Sequence, residues 1–441
     1  MTGWQEGFGP APAHPATELD PARVEGLLDE LTARLHDNYP FFHPRYAGQM
    51  LKPPHPAAVA AHLAAMLVNP NNHALDGGPA TAAMEREAVA VLAAMLHLPD
   101  DGLGHLTSSG TIANLEALFV ARELHPGRGV AAGTDAHYTH ARMCHLLGIA
   151  CEQVPADAAG RVDLDALEAL LRTGRIGTVV LTAGTTGLGA VDPVDEALVL
   201  ARAHGARVHV DAAYGGFFAI LAWAGDPLVP SAPLRAIAEC DSVVVDPHKH
   251  GLQPYGCGAV LFRDPSVARL YTHDSPYTYY TAAVGHLGEI SLECSRAGAA
   301  AAALWLTLQA FPLTPSGLGA GLAAGLRAAR RWHALLDASE VLAPCHRPEL
   351  DIVTLAPRSA RTLSALDETC QVMLRRGMTE PDPVFLSTLR VDAPRLLAAL
   401  PGLSGDAPSA RVLRSVLMKP AHELWVERLH ARVEELAVSP R

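Results

Sequence analysis

The sequence predicts an α/β protein built on a mostly parallel seven-stranded sheet flanked by helices, with a small C-terminal α+β domain after it. Three observations carry that expectation. From Gly102 to Phe262, short apolar runs alternate with amphipathic stretches of helical period, the pattern of a parallel sheet covered on both faces. After residue 312 a second, shorter alternation begins, with strands and helices of its own. And 441 residues, 49% hydrophobic and 18% charged, carry enough apolar surface for a large core. The expected division is an N-terminal arm with helices over 1–70, a large domain over 71–312 and a small one over 313–441.

Residues 1–16 are rich in Pro and Gly and read as a loose arm. From Thr17, the positions Val24, Leu27, Leu28, Leu31 and Leu35 recur at helical spacing. The proline-rich run 41–56 is an extended loop. Helices follow over about 56–68 and 79–98, the second opened by Pro79 at a favoured first-turn position. The sheet takes strands near 105–107, 129–133, 151–154, 178–182, 207–210, 242–245 and 259–262. Helices fall near 111–124, 138–147, 163–173, 194–204 and 233–239. No crossover helix fits between the last two strands, so they are either antiparallel neighbours or apart in the sheet. Alanine-rich helices near 296–310 and 317–337 lead to strands near 351–356, 384–390 and 411–417 and helices near 360–376 and 420–436. The glycine run 317–325 follows no strand, and close helix packing is its meaning.

A net charge of −12 without any Lys/Arg block speaks against nucleic-acid binding. Apolar stretches are broken by charges well before bilayer length, and the first residues lack the regions of a signal peptide. A cytoplasmic protein without membrane contact is expected. Seven scattered cysteines with no CxxC pair give no sign of a disulfide framework.

Of 34 basic residues only Lys52, Lys249 and Lys419 are lysine. Lys249 alone ends an apolar strand, between two histidines, in DSVVVDPHKHGLQPYGCGAVLF (241–262). Arginine keeps its proton in a protein, whereas a partly buried lysine can lose it and attack a carbonyl. Ligands of α/β sheets gather where strands end and helices begin. TSSGTIANL (107–115) places Ser109, Gly110 and Thr111 at a helix start, where backbone N–H groups and hydroxyls make a phosphate cup; a serine-capped helix is the alternative. In GTDAHYTHAR (133–142), His137 and His140 stand three apart with no acidic third ligand nearby, so no metal site is expected. LTAGTTGLGAVDP (181–193) offers Thr185, Thr186 and flexible glycines without the GxGxxG of dinucleotide binding. In RVHVDAAYGGFF (207–218), Asp211 ends an apolar strand, where a carboxylate without a partner is costly. A cup, a flat ring at His137, a buried carboxylate and a lone amine, all at strand ends of one sheet, form the set that pyridoxal phosphate requires.

The stretches GPATAAMERE, TSSGTIANLEAL, DAHYTHAR, AGTTGLGAVDP, HVDAAYGG, DPHKHG and ECSRAGA span about residues 45–310. In order and spacing they resemble the pyridoxal-phosphate-dependent group II amino-acid decarboxylases, which include glutamate, aromatic amino-acid and tyrosine/aspartate decarboxylases. The resemblance implies the fold type I of these enzymes and decarboxylation of an L-amino acid to its amine and CO2. Lys249 then forms the Schiff base with the cofactor, and Asp211 pairs with the pyridinium nitrogen. His137 stacks on the ring and Ala213 packs on its other face. Ser109, Gly110 and Thr111 hold the phosphate, Thr186 lies near the ring, and His248 sits beside the cofactor. Tyr279 or Tyr280, in SPYTYYT (275–281), either protonates the substrate Cα or packs as an aromatic. Arg296 either binds a substrate carboxylate or caps its loop. A homodimer with the site at the interface follows from the same resemblance.

Three positions depart from the family pattern. SSG stands where SGG is usual, with Ser109 in the glycine position. Asp246 replaces the Asn of the aromatic decarboxylases; aimed at a phosphate it would repel, so it is expected to hold His248 or a backbone N–H. His250 follows the lysine where an aromatic or Met is more usual, which bears on the substrate-pocket wall. Decarboxylation coupled to oxidative deamination, a retro-aldol-type lyase step and transamination use the same residues and are the competing outcomes.

Overall fold

The computed structural model describes residues 2–9, 14–271 and 290–438, in two compact units, Met1–His43 and Pro44–Arg441. In the first unit the predicted helix runs Pro21–Leu35. Asp20 caps it by accepting from the Ala22 N–H at 3.0 Å, and Pro21 fills a first-turn position that has no hydrogen bond to lose. The arm before it is less loose than its composition suggests, because Thr2–Phe8 is helical. Leu27, Leu28, Leu31 and Leu35 all remain exposed.

In the second unit seven strands form one sheet: β1 (Leu103–Thr107), β2 (Gly129–Gly133), β3 (Cys151–Val154), β4 (Ile176–Thr182), β5 (Arg207–Asp211), β6 (Ser242–Val245) and β7 (Gly258–Phe262). Their order is β1-β7-β6-β5-β4-β2-β3. β2 to β6 pair in parallel, while β7 is antiparallel to both neighbours, with Ser242 opposite Phe262 and Leu103 opposite Phe262 on the other side. The two strands without a crossover are thus antiparallel neighbours. β2, β4, β6 and β7 are buried along their whole length, as strands covered on both faces must be. This geometry brings the C-terminal ends of β1, β2, β4, β5 and β6 to one edge of the sheet.

A second sheet, entirely antiparallel, has the order β10-β11-β9-β8, with β8 (Leu342–Pro344), β9 (Ile352–Pro357), β10 (Ser387–Asp392) and β11 (Ser409–Val416). β8 is three residues long, too short for sequence periodicity to register. Helix Leu318–Ala338 joins the two cores: Leu322 and Leu326 pack with the large sheet, Trp332 and Leu336 with the small one. Its glycines have the packing role expected. A Cβ on Gly325 would stand 2.8 Å from the Leu417 carbonyl oxygen. Among the described residues no helix is long and apolar enough to cross a membrane.

Candidate active site

The strand ends enclose a cavity of about 190 Å³. Ser109, Gly110 and Thr111 enter it after β1, His137 after β2 and Thr186 after β4. Asp211 and Ala213 enter from the end of β5, and Asp246, His248 and Lys249 from the loop after β6. All ten are residues expected from the sequence. Tyr279 and Tyr280 lie outside the described residues.

At one end of the cavity, helix Gly110–Leu124 begins, with the Ser109 hydroxyl accepting from the Ile112 N–H at 3.4 Å. Its first N–H groups and its dipole favour an anion. Asp246 stands directly over this start: a Cβ on Gly110 would meet Asp246 Oδ2 at 2.5 Å. The expectation for Asp246 changes. Oδ2 is 3.1 Å from Lys249 Nζ and 3.6 Å from His248 Nε2, so its main partner is the lysine amine, and Oδ1 is buried without a hydrogen bond. His248 donates from Nδ1 to the Cys257 carbonyl at 2.7 Å, which turns Nε2 toward Asp246.

At the other end Asp211 accepts from His140 Nε2 at 2.9 Å and from the Ala213 N–H at 3.1 Å. Burial pushes this carboxyl up, but the His140 hydrogen bond and the charges of His140 and Lys249 outweigh it and hold Asp211 well below the usual carboxylate range. His137 is half-buried, and burial depresses its pKa despite Asp211, which keeps a neutral, flat ring beside the cavity. Deeper in, His209 donates from Nε2 to Asn114 Oδ1 and accepts at Nδ1 from the Ser242 hydroxyl, both at 2.9 Å. Burial first, then the nearby His140, pushes its pKa down to about 3.

Two sequence expectations change place. Arg296 is absent from this cavity; its Nη1 bonds Glu85 and donates to the Leu106 carbonyl at 2.8 Å, and Nη2 donates to the Asn72 carbonyl at 3.2 Å. That is the geometry of a loop cap. His250 is buried behind the cavity, edge-on to Tyr214 and Phe218 at centroid distances of 4.6 and 4.9 Å, with no hydrogen bond at either nitrogen. It is therefore no part of the wall. Tyr214 does line the cavity, and its hydroxyl donates to Asp351 Oδ1 at 2.5 Å, linking the site to the segment that enters β9.

Sequence reasoning missed His140, Asn114, His209, Tyr214 and Asp351. His140 carried a signal, since it stands one helical turn from His137, but its partner lies 71 residues away. Tyr214 was visible inside HVDAAYGG; Asp351 carried no local sign.

The cavity fits pyridoxal phosphate. A helix N-terminus for an anion, an ionised carboxylate for a ring nitrogen and a lysine amine all face one space of suitable size. Asp246 opposes an anion at the helix start, and it is drawn toward Lys249. The site and fold together define a pyridoxal-phosphate enzyme of fold type I.

Comparison with known proteins narrows this class. The family model described as the pyridoxal-dependent decarboxylase conserved domain matches residues 23–355, and the chain belongs to that family. An L-tyrosine decarboxylase of Enterococcus faecium is 28% identical, over 85% of this chain and 80% of its own length. A probable L-tyrosine/L-aspartate decarboxylase of Methanocella arvoryzae is 32% identical over 60% of this chain and 68% of its own. Among solved structures, Oryza sativa TDC with PLP and tryptamine superposes with a TM-score of 0.79 at 20% identity, covering 98% of this chain and 91% of that one. Mouse CSAD gives 0.79 at 21%, covering 99% and 92%. At such identities the structures speak for the fold alone. The protein is a pyridoxal-phosphate-dependent amino-acid decarboxylase.

Proposed function

We propose that this decarboxylase acts on an aromatic L-amino acid, L-tyrosine first, and that Lys249 carries its cofactor. The names of the relatives support tyrosine. The commitment of Arg296 to Glu85 gives no support to an acidic substrate. One observation favours L-aspartate as the second reading. Among the described residues Lys52 makes no ion pair, and its segment packs on the Lys249 loop, where the His55 N–H donates to the Leu252 carbonyl (2.9 Å) and the Tyr255 hydroxyl to that of Met50 (3.2 Å).

Bound in the cavity, pyridoxal phosphate supplies the electron sink for the pair left when the bond from Cα to the carboxylate breaks. The chain's own groups do the rest. Lys249 Nζ offers the amine for the cofactor aldehyde, with Asp246 as its charge partner. Asp211 presents an ionised carboxylate to the ring nitrogen and keeps a proton there. Ser109, Gly110 and Thr111 hold the phosphate, Thr186 lies near the ring and His248 beside the cofactor, while His137 and Ala213 confine the ring. Tyr279 or Tyr280 returns a proton to Cα.

Along the chain we assign pairing to residues 1–70, cofactor binding to 71–312 and the buttress behind Tyr214 to 313–441. The leucines exposed on helix Pro21–Leu35 support a homodimer in which a second copy covers them, and we assign the protein to the cytoplasm. The deciding experiment is CO2 release from a panel of L-amino acids, with the amine identified. Tyramine from L-tyrosine is expected. Preference for L-aspartate, lost in Lys52→Gln, would replace the aromatic reading, and an aldehyde with ammonia would count against both.

A further inference from the structure

We propose that His140 is a positioning residue for Asp211: its Nε2–H, 2.9 Å from Oδ2, holds that carboxylate ionised and fixed toward the cofactor's ring nitrogen. The proposal rests on the reading of Asp211 as the ring-nitrogen partner. His140 stands in the first turn of helix Thr139–Leu147 with 1% of its surface exposed and does not line the cavity. Its side-chain hydrogen bond reaches the cavity through Asp211.

The carboxylate it serves singles it out: His105 likewise gives Nε2 to a buried carboxylate, Glu116 at 2.7 Å, and leaves Nδ1 unpartnered, but Asp211 lines the cavity and Glu116 does not. Deeper in, His209 uses both ring nitrogens, with Asn114 and Ser242. His140 instead leaves Nδ1 buried without a partner and gives its one hydrogen bond to a carboxylate. That bond fixes the tautomer, because the nitrogen facing Asp211 must carry the proton. Asp211 is then held at both oxygens, Oδ2 by His140 and Oδ1 by the Ala213 N–H at 3.1 Å, which stops the carboxylate from turning. A buried carboxyl without such donors takes up a proton and can no longer keep one on the ring nitrogen. The other titratable groups around the pair are Lys249, His137, His209 and Cys151. Lys249 is the one fixed cation among them, and it lies on the cofactor side. From the helix side, His140 is the sole donor to Asp211 among the described residues.

The test compares His140→Leu with His140→Gln, which retains an amide donor. Each apoenzyme is titrated with pyridoxal phosphate and with its deaza analogue, in which a C–H replaces the ring nitrogen. In His140→Leu the affinity for pyridoxal phosphate should fall about tenfold or more, the scale of one lost charged hydrogen bond, while that for the analogue stays unchanged. The acid limb of the kcat profile should move to higher pH, with KM altered less than kcat. His140→Gln should recover most of both effects. Equal weakening of both cofactors, or a Gln variant no better than Leu, overturns the proposal. Asp211→Ala separates the two levels of the argument. If that variant fails to distinguish the two cofactors, the assignment of Asp211 falls and this proposal with it. If Asp211→Ala distinguishes them and His140→Leu does not, the role of His140 falls alone.

Discussion

The amine of Lys249 has a carboxylate for a neighbour, Asp246 Oδ2 at 3.1 Å, and a positive charge alone would satisfy it. What arginine cannot do is give up its proton to attack a carbonyl. Lys249→Arg should therefore be as dead as Lys249→Ala: CO2 release falls below about a thousandth of the parent's, and the cofactor's visible absorption is lost on gel filtration. An arginine variant that kept a tenth of the activity would remove Lys249 from the chemistry. Tyr214 poses a different problem. Its hydroxyl lies 2.5 Å from Asp351 Oδ1, and burial pushes the Asp351 carboxyl up to about 6 even with that hydrogen bond. Tyr214→Phe leaves a buried carboxylate short of a donor, so a loss of about 1–3 kcal/mol in urea unfolding is expected. Adding Asp351→Asn should restore part of it, because the two changes share one hydrogen bond. Strictly additive losses would show that the pair is not coupled.

Helix Gly110–Leu124 shows why some of the site was legible and some was not. Its start, Ser109 to Thr111, is written in consecutive residues after an apolar strand, and so are the ends of β5 and β6. Parallel strand–helix units put such ends on one edge whatever their distance along the chain. Ten of the lining residues could therefore be gathered from the sequence and its family resemblance. Contacts made between side chains of different elements could not. Asp246 was expected to hold His248 or a backbone N–H, and Lys249 Nζ stands nearer to it, at 3.1 Å against 3.6 Å for His248 Nε2; Arg296 belongs to Glu85, 211 residues away; His250 faces inward between two aromatic rings. Nothing in local spacing encodes those choices. The strands were placed to within three residues in the large sheet because each is an unbroken apolar run, whereas β8 was too short to leave a pattern. The close fit at the helix start yields a prediction for this element. In Gly110→Ala the new Cβ would meet Asp246 Oδ2 at 2.5 Å, and either the carboxylate or the first turn must shift. The expected result is a cost of about 1–3 kcal/mol in stability together with weaker cofactor binding. Unchanged affinity in a titration of the apoenzyme would mean that Asp246 moves freely.

The molecule as a whole holds buried groups whose pKa values have moved in opposite directions, and this governs its response to acid. His209 and His422 each accept at Nδ1, from Ser242 and from the Lys419 N–H, and each donates from Nε2, to Asn114 and to the Tyr46 carbonyl. A second proton on His422 would face the Lys419 N–H, which can only donate, and one on His209 would force the Ser242 hydroxyl to turn. Burial, with His140 near the first and Lys419 near the second, pushes both down to about 3. Unfolded, they titrate near 6.5. Their contribution is complete above that pH and is lost as pH falls from about 6.5 toward 3, at about 1.4 kcal/mol per unit for each. Asp192 runs the other way. Burial pushes it up to about 7, although it accepts from the Thr182 and Val162 N–H groups, so it takes up a proton while folded and favours the folded state as pH falls from about 7 toward 4. By these three groups alone the parent should lose about 1 kcal/mol between pH 7 and 5, the two histidines costing about 4 kcal/mol and Asp192 offsetting about 3. Single variants should expose each side. Relative to the parent, His422→Gln should gain about 2 kcal/mol on going from pH 6.5 to 5, and Asp192→Asn should lose about 3 kcal/mol on going from pH 7 to 5. Urea unfolding at fixed protein concentration measures both, since dimer formation would add its own concentration dependence. Curves for the two variants that run parallel to the parent's, or slopes of the same sign, would show that these buried groups do not titrate between the folded and unfolded states as their surroundings require.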